Sequence, residues 1–183
     1  MDSKVLYEKD GMIFTKISDK KYNLQFVIEN KNIIMANIVD FNLLKLIYDL
    51  NGDIYENVQL EKINENEATA TILVKHLFED LGLPQKYSCL HIQKTFNNNQ
   101  TIFRSQTIIT EKPKHIPANA ELMAMKENIG ICDILSPHKI NFSFTVLFED
   151  YVKIPHFAEK LVGVILNKIF KRVKLFIENI TFN

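Results

Sequence analysis

An α+β fold in two layers, an antiparallel sheet curled around one long C-terminal helix, is predicted by three features of the sequence. Residues 153 to 180, KIPHFAEKLVGVILNKIFKRVKLFIENI, repeat their apolar side chains with a helical period. From Tyr55 to Phe148 the period is mostly two, the mark of strands with one wet face. One other stretch, IVDFNLLKLIYDLNGD at residues 38 to 53, has helical spacing, so the apolar face of the sheet has two helices to cover it.

At the N-terminus VLYEKD, MIFTKIS and YNLQFVIEN are short strands, separated by turns at Asp10-Gly11 and Ser18-Asp19-Lys20-Lys21. Tyr22, Leu24, Phe26 and Ile28 share one face of the third. In the short helix that follows, Asp40 is placed to accept the free amide hydrogens of the first turn, and Asn51-Gly52 to supply a left-handed stop. Phe41, Leu44, Ile47 and Tyr48 recur between them at helical spacing. NVQLEKI then runs through the turn NENE into ATATILVKHLF, which sets Ala70, Ile72, Val74, His76 and Phe78 on one side. After the loop EDLGLPQK, YSCLHIQKTF and TIFRSQTII form a hairpin around NNNQ. EKPKHIPAN is a Pro-containing connection. INFSFTVLF is the clearest strand, with Ile140, Phe142, Phe144, Val146 and Phe148 facing one way and Asn141, Ser143 and Thr145 the other.

Pro155 suits the first turn of the last helix, where its missing amide hydrogen costs nothing. Phe157, Leu161, Ile165, Ile169, Val173, Phe176 and Ile180 then follow every third or fourth residue, widened by Ala158, Val162, Leu166 and Phe170. Two surfaces compete for this stripe. One is the apolar face of the sheet. The other is a membrane surface, assisted by the cations Lys168, Lys171, Arg172 and Lys174. The sheet needs a cover, and that favours the first.

Composition sets the bounds. A chain of 183 residues that is 46% hydrophobic supports one domain over residues 1–183. Lys+Arg and Asp+Glu balance at 22 each, so no global field draws in nucleic acid. The charged start MDSKVLYEKDG is unlike a secretory signal and no apolar run is long enough to span a membrane, so a soluble, cytoplasmic protein is expected. Cys89 and Cys132, without CxxC spacing, are then reduced thiols. Twenty Lys against two Arg, with 24 Ile and 18 Asn, is the usage of an AT-rich genome, which a parasite, an amoeba, an AT-rich bacterium or a large DNA virus would fit.

Chemistry has little support. His76, His91, His115, His138 and His156 show no metal-ligand spacing, so no metal is expected. Glu79-Asp80 and Glu149-Asp150 sit at element ends, where they act as turn formers and helix-dipole partners. Neither a GxSxG elbow nor a phosphate-cradling glycine loop occurs, so no catalytic residue and no cofactor are expected.

The order strand, short helix, run of antiparallel strands and long closing helix resembles the helix-grip fold of the START and Bet v 1-like (SRPBCC) superfamily over residues 38–180. YSCLHIQKTFNNNQTIF looks like the paired strands in the middle of that sheet, and INFSFTVLFEDYVKIPHFAEKL resembles its last strand and the Ile154-Pro155 approach to the closing helix. The hairpin before Tyr22, within residues 1–30, looks additional. The resemblance implies a cavity between sheet and helix that binds an apolar or amphipathic, lipid-like molecule. Phe142, Phe144, Phe157, Leu161, Ile165 and Ile169 would line it. Arg104, mid-strand in TIFRSQTII with Phe103 and Ile109 on the adjoining face, anchors an acid headgroup if its face is the concave one and is an ordinary solvated charge if it is not. A protein-interaction module or homodimer of the same fold, and peripheral membrane contact, are the alternatives.

Overall fold

Alternation becomes sheet almost throughout residues 3–77, 79–108 and 111–181, which the computed structural model describes. The elements are β1 (Lys4–Lys9), β2 (Met12–Ser18), β3 (Lys21–Glu29), α1 (Phe41–Asp49), β4 (Tyr55–Asn64), β5 (Glu67–Val74), β6 (Lys86–Asn97), β7 (Gln100–Thr107), β8 (Glu121–Leu122), β9 (Met125–Ser136), β10 (Lys139–Phe148) and α2 (His156–Glu178). Neighbours in the order β1-β2-β3-β10-β9-β7-β6-β5-β4 are antiparallel, and β8 adds in parallel to β6. Asp10, Gly11 and Asn98, residue types that tolerate the left-handed region, turn at φ 56°, 74° and 51°, while the β2–β3 turn puts Lys20 there at φ 58°. Phe78 and Ile109 lie outside the described residues.

Where β3 meets β10 the two best-alternating segments pair in register: Ile28 with Ile140, Phe26 with Phe142, Leu24 with Phe144 and Tyr22 with Val146. Their shared face is the core, on which α1 and α2 lie. The helix α2 reaches both edges of the sheet. Asn167 donates to the Lys9 carbonyl (3.1 Å) and Lys171 pairs with Asp10 (2.9 Å) beside β1. Lys168 pairs with Asp53 (2.7 Å) just before β4. A sheet whose two edges touch one helix is curled around it.

Three expectations need correction. Asp40 caps α1, accepting from the amides of Asn42 (2.8 Å) and Leu43 (3.4 Å), but the helix does not end on a left-handed residue. Instead the side chain of the fully buried Asn51 donates to the carbonyls of Ile47 (2.8 Å) and Ile169 (3.3 Å), sealing α1 and tying it to α2. The strand expected through Phe78 stops at Val74, and the His76 ring instead lies 2.6 Å from the Leu83 carbonyl.

The stripe on α2 is also rotated in its first half. Ala158, Glu159, Gly163 and Asn167 face inward, while Phe157 and Leu161 are exposed at 54% and 38%. The physical reason is proximity. At Gly163 a Cβ would sit 2.8 Å from the Phe14 ring and 3.1 Å from the Tyr7 Cβ, so only small or strand-tied residues fit against β1 and β2. Further along, the sheet accepts bulk, and Ile169, Phe170, Val173 and Ile177 are buried.

Candidate ligand-binding site

Between β3, β10 and α2 the residues expected to line a chamber pack against each other. The Phe170 ring lies 5.4 Å from Phe26, 5.3 Å from Phe142 and 6.4 Å from Phe144, with Phe26 and Phe142 5.0 Å apart. Ile169 is buried beside them and Ile165 is half-buried. Phe157 and Leu161 stand outside this cluster, on the solvent side of α2. Arg104 is elsewhere too. It is exposed on the outer face of β7, paired across the strands with Gln93 and Ile129, while its neighbour Phe103 points into the core. Of its two readings, the structure matches the solvated charge.

An open space does exist nearby, and no residue count singled it out. A groove of about 340 Å³ runs between α1 and the last turns of α2. Leu43, Leu46, Phe176, Ile177, Ile180 and Ile38 line it, with Asn37, Asp40 and Asn42 at one rim. Leu43 and Ile177 are buried core residues, so the floor of the groove is the core itself. Phe176 on its wall is 46% exposed, a large ring left partly in water. The sequence signal was the second apolar line of α1, Leu43 and Leu46, displaced from the line of Phe41, Leu44 and Ile47. A second concavity of about 340 Å³ lies between α1 and β4, lined by Lys45, Tyr48, Asp49, Val58 and Leu60 among others.

The cations expected to form an anionic-surface patch are engaged within the chain. Lys168 and Arg172 both bind Asp53, Lys171 binds Asp10, and Lys174 binds Glu178 and the Val27 carbonyl. The Arg172 guanidinium holds the Asp53 carboxyl well below the usual carboxylate range. Lys168, Arg172 and Lys171 clamp α2 to the loops at both sheet edges, and Lys174 ties it to β3.

Titratable groups also gather under the first turn of α2. The Glu159 carboxylate, 7% exposed, accepts from Lys16 Nζ (2.6 Å) and Tyr22 Oη (2.8 Å), with His156 Nδ1 at 3.4 Å. Burial pushes this carboxyl up, but together the hydrogen bonds from Lys16, Tyr22 and His156 outweigh it and hold it below its ordinary value. Burial and the same carboxylate push the Tyr22 phenol up, so Tyr22 stays a donor. With all its donors supplied by the protein, the cluster is a tie between α2 and β2–β3. Burial likewise pushes the Cys132 thiol up to about 12, which makes it inert.

The fold as a whole is similar to solved structures. The human StarD13 (DLC2) lipid transfer and protein localization domain matches with a TM-score of 0.65 and 9% identity, over 92% of this chain and 84% of that one. A STAR-related lipid transfer protein from Xanthomonas axonopodis gives a TM-score of 0.65 at 8% identity, over 97% and 99%. The chain has the helix-grip fold of START domains. Human StAR-related lipid transfer protein 5 shares that fold with a TM-score of 0.63 and 10% identity, over 96% and 84%. No protein-family model matches the chain, and no curated protein matches it by sequence. Among the described residues, no helix of this START-like fold is long and apolar enough to cross a membrane.

Proposed function

We propose that the protein binds an apolar or amphipathic, lipid-like molecule without altering it, and takes the apolar part of that molecule into the groove between α1 and α2. The observation that carries this is the groove itself: a concavity of about 340 Å³ with an apolar wall, a floor continuous with the core and a polar rim at Asn37, Asp40 and Asn42. Its volume lies at the lower end of the range for small-molecule sites, roughly 300 to 1,000 Å³. START-fold neighbours described as lipid transfer proteins support the ligand class. Native mass spectrometry of protein purified from cells, under gentle and then denaturing conditions, tests this. A bound mass that is released on denaturation supports a carrier, and protein that stays ligand-free after incubation with fatty acids and phospholipids argues against one.

A second reading, contact with a membrane surface, is favoured by one patch. Tyr151, Phe157, Leu161 and Val164 are exposed at the start of α2, beside Lys153 and Lys160, which have no carboxylate partner among the described residues. On this reading the contact would lie at the N-terminal half of α2 rather than at the paired cations further along. Sedimentation with anionic vesicles at low salt, lost in Phe157→Glu, is the expected result; no sedimentation of the native chain removes the reading.

A further inference from the structure

The strand β4 ends the sheet. It pairs with β5 on one side and, among the described residues, with no strand on the other. Ten residues of edge leave a row of amide and carbonyl groups facing solvent, which proteins usually guard with charge, bulges or a cover. The opposite edge, β1, is guarded in this way: six residues long, bulged between Val5 and Tyr7, and packed against α2. β4 also has a helix, α1, against one face and carries charges at Glu56, Glu61 and Lys62, but it is ten residues long, its bulges lie at its two ends, and the ladder from Asn57 to Lys62 is regular.

We propose that this edge pairs antiparallel with the same edge of a second copy, about a two-fold axis at Gln59, joining the two sheets into one. The charges on β4 are what commit it to itself. In that register Val58 faces Leu60 of the second copy, Asn57 faces its Glu61 and Gln59 faces Gln59, and Glu56, which accepts from Gln85 (2.7 Å), faces Lys62, which pairs with Glu65 of its own copy (2.8 Å), each unlike pair occurring twice. Shifting the axis to Val58 sets Leu60 against Glu56, and shifting it to Leu60 sets Val58 against Lys62. A shift by an odd number opposes the α1-covered face of one copy to the bare face of the other. Only the Gln59 register matches apolar with apolar and acid with base or amide. The apolar pairs also land where there is room. Val58 and Leu60 pack on the core and line the cleft beside Lys45, Tyr48 and Asp49, and the second copy's Leu60 and Val58 continue that apolar strip. Glu61 is exposed and has no side-chain partner among the described residues, so it is free to meet a group across the axis.

Sedimentation equilibrium of the full chain tests the pairing with three variants. Asn57→Lys sets an ammonium opposite Glu61 of the other copy, twice across the axis, and tightens the dimer by roughly 2- to 30-fold at 0.2–1 kcal/mol per pair. Asn57→Glu sets two like-charge pairs and loosens it to a similar degree. Gln59→Cys, incubated with oxidised glutathione, forms an interchain disulfide through the axis. Val5→Cys on the guarded edge does not, and the native Cys89 and Cys132 are buried and silent. Circular dichroism confirms that each variant folds. A chain that stays monomeric across the concentration series with Gln59→Cys uncrosslinked overturns the proposal, as does a shift of both Asn57 variants in the same direction.

Discussion

Phe170→Ala is the substitution that probes how α2 is held. Phe170 is 7% exposed and meets three rings, Phe26, Phe142 and Phe144, at centroid distances of 5.3 to 6.4 Å. Truncating a buried Phe to Ala costs about 3–5 kcal/mol, more where the walls cannot close on the space. Here the walls are β3 and β10, hydrogen-bonded in unbroken register from Lys21 to Glu29, so they cannot move in independently. The upper part of that range, about 4–5 kcal/mol, is therefore expected. For a chain of this size that corresponds to a fall in Tm of roughly 8–20 °C. Equilibrium urea unfolding measures it, with the denaturant slope unchanged. Phe157→Ala is the matched control. Phe157 is 54% exposed, and its loss should move stability by no more than about 0.5 kcal/mol. Equal costs for the two variants would refute the orientation given to α2, because the uniform apolar stripe buries both rings alike.

Two further outcomes follow from the first half of α2. Gly163→Ala gains about 1 kcal/mol of helix propensity, but its methyl meets the buried Phe14 ring at 2.8 Å, and overpacking costs about 1–3 kcal/mol. Net destabilisation by thermal melting is expected, and net stabilisation would contradict the close approach. Glu159 has a folded pKa below its free value, so its contribution is fully present above about pH 4.3 and is lost as pH falls toward the folded value. The stability gap between the native chain and Glu159→Gln should therefore narrow between pH 7 and pH 3; a constant gap would remove the tie.

Legibility in the sequence followed how far apolar residues mark the inner face. In β10 they mark it strictly, and its facing was readable from residues 140 to 148 alone. The Asp40 cap was readable because it depends on one side chain and the next turn. The central strand β9 went unread. Its inward positions include Asn128, Gly130 and Cys132, while Ile129 and Ile131 point to the half-buried outer face, so its hydrophobic alternation runs backwards. At Gly130 an added Cβ would meet Phe103 at an ordinary 3.9 Å, so the structure does not require glycine there. The same inversion hid the phase of α2, where Ala158, Gly163 and Asn167 face inward because the strands leave no room for bulk. Only one wall of the groove left a mark in the sequence, the second apolar line Leu43 and Leu46 of α1; the other wall lies about 130 positions away at the end of α2, and only the tertiary fold brings the two together.

The α1–α2 groove is proposed to take a lipid-like ligand. Titrating a fluorescent fatty-acid analogue into the native chain and into Phe176→Glu tests it most directly, because Phe176 is 46% exposed on the groove wall and its replacement leaves the core intact. Saturable binding by the native chain, weakened at least about tenfold in the variant, which is 1.4 kcal/mol or more, is the expected result. Equal binding by both, or no saturable binding by either, would contradict it.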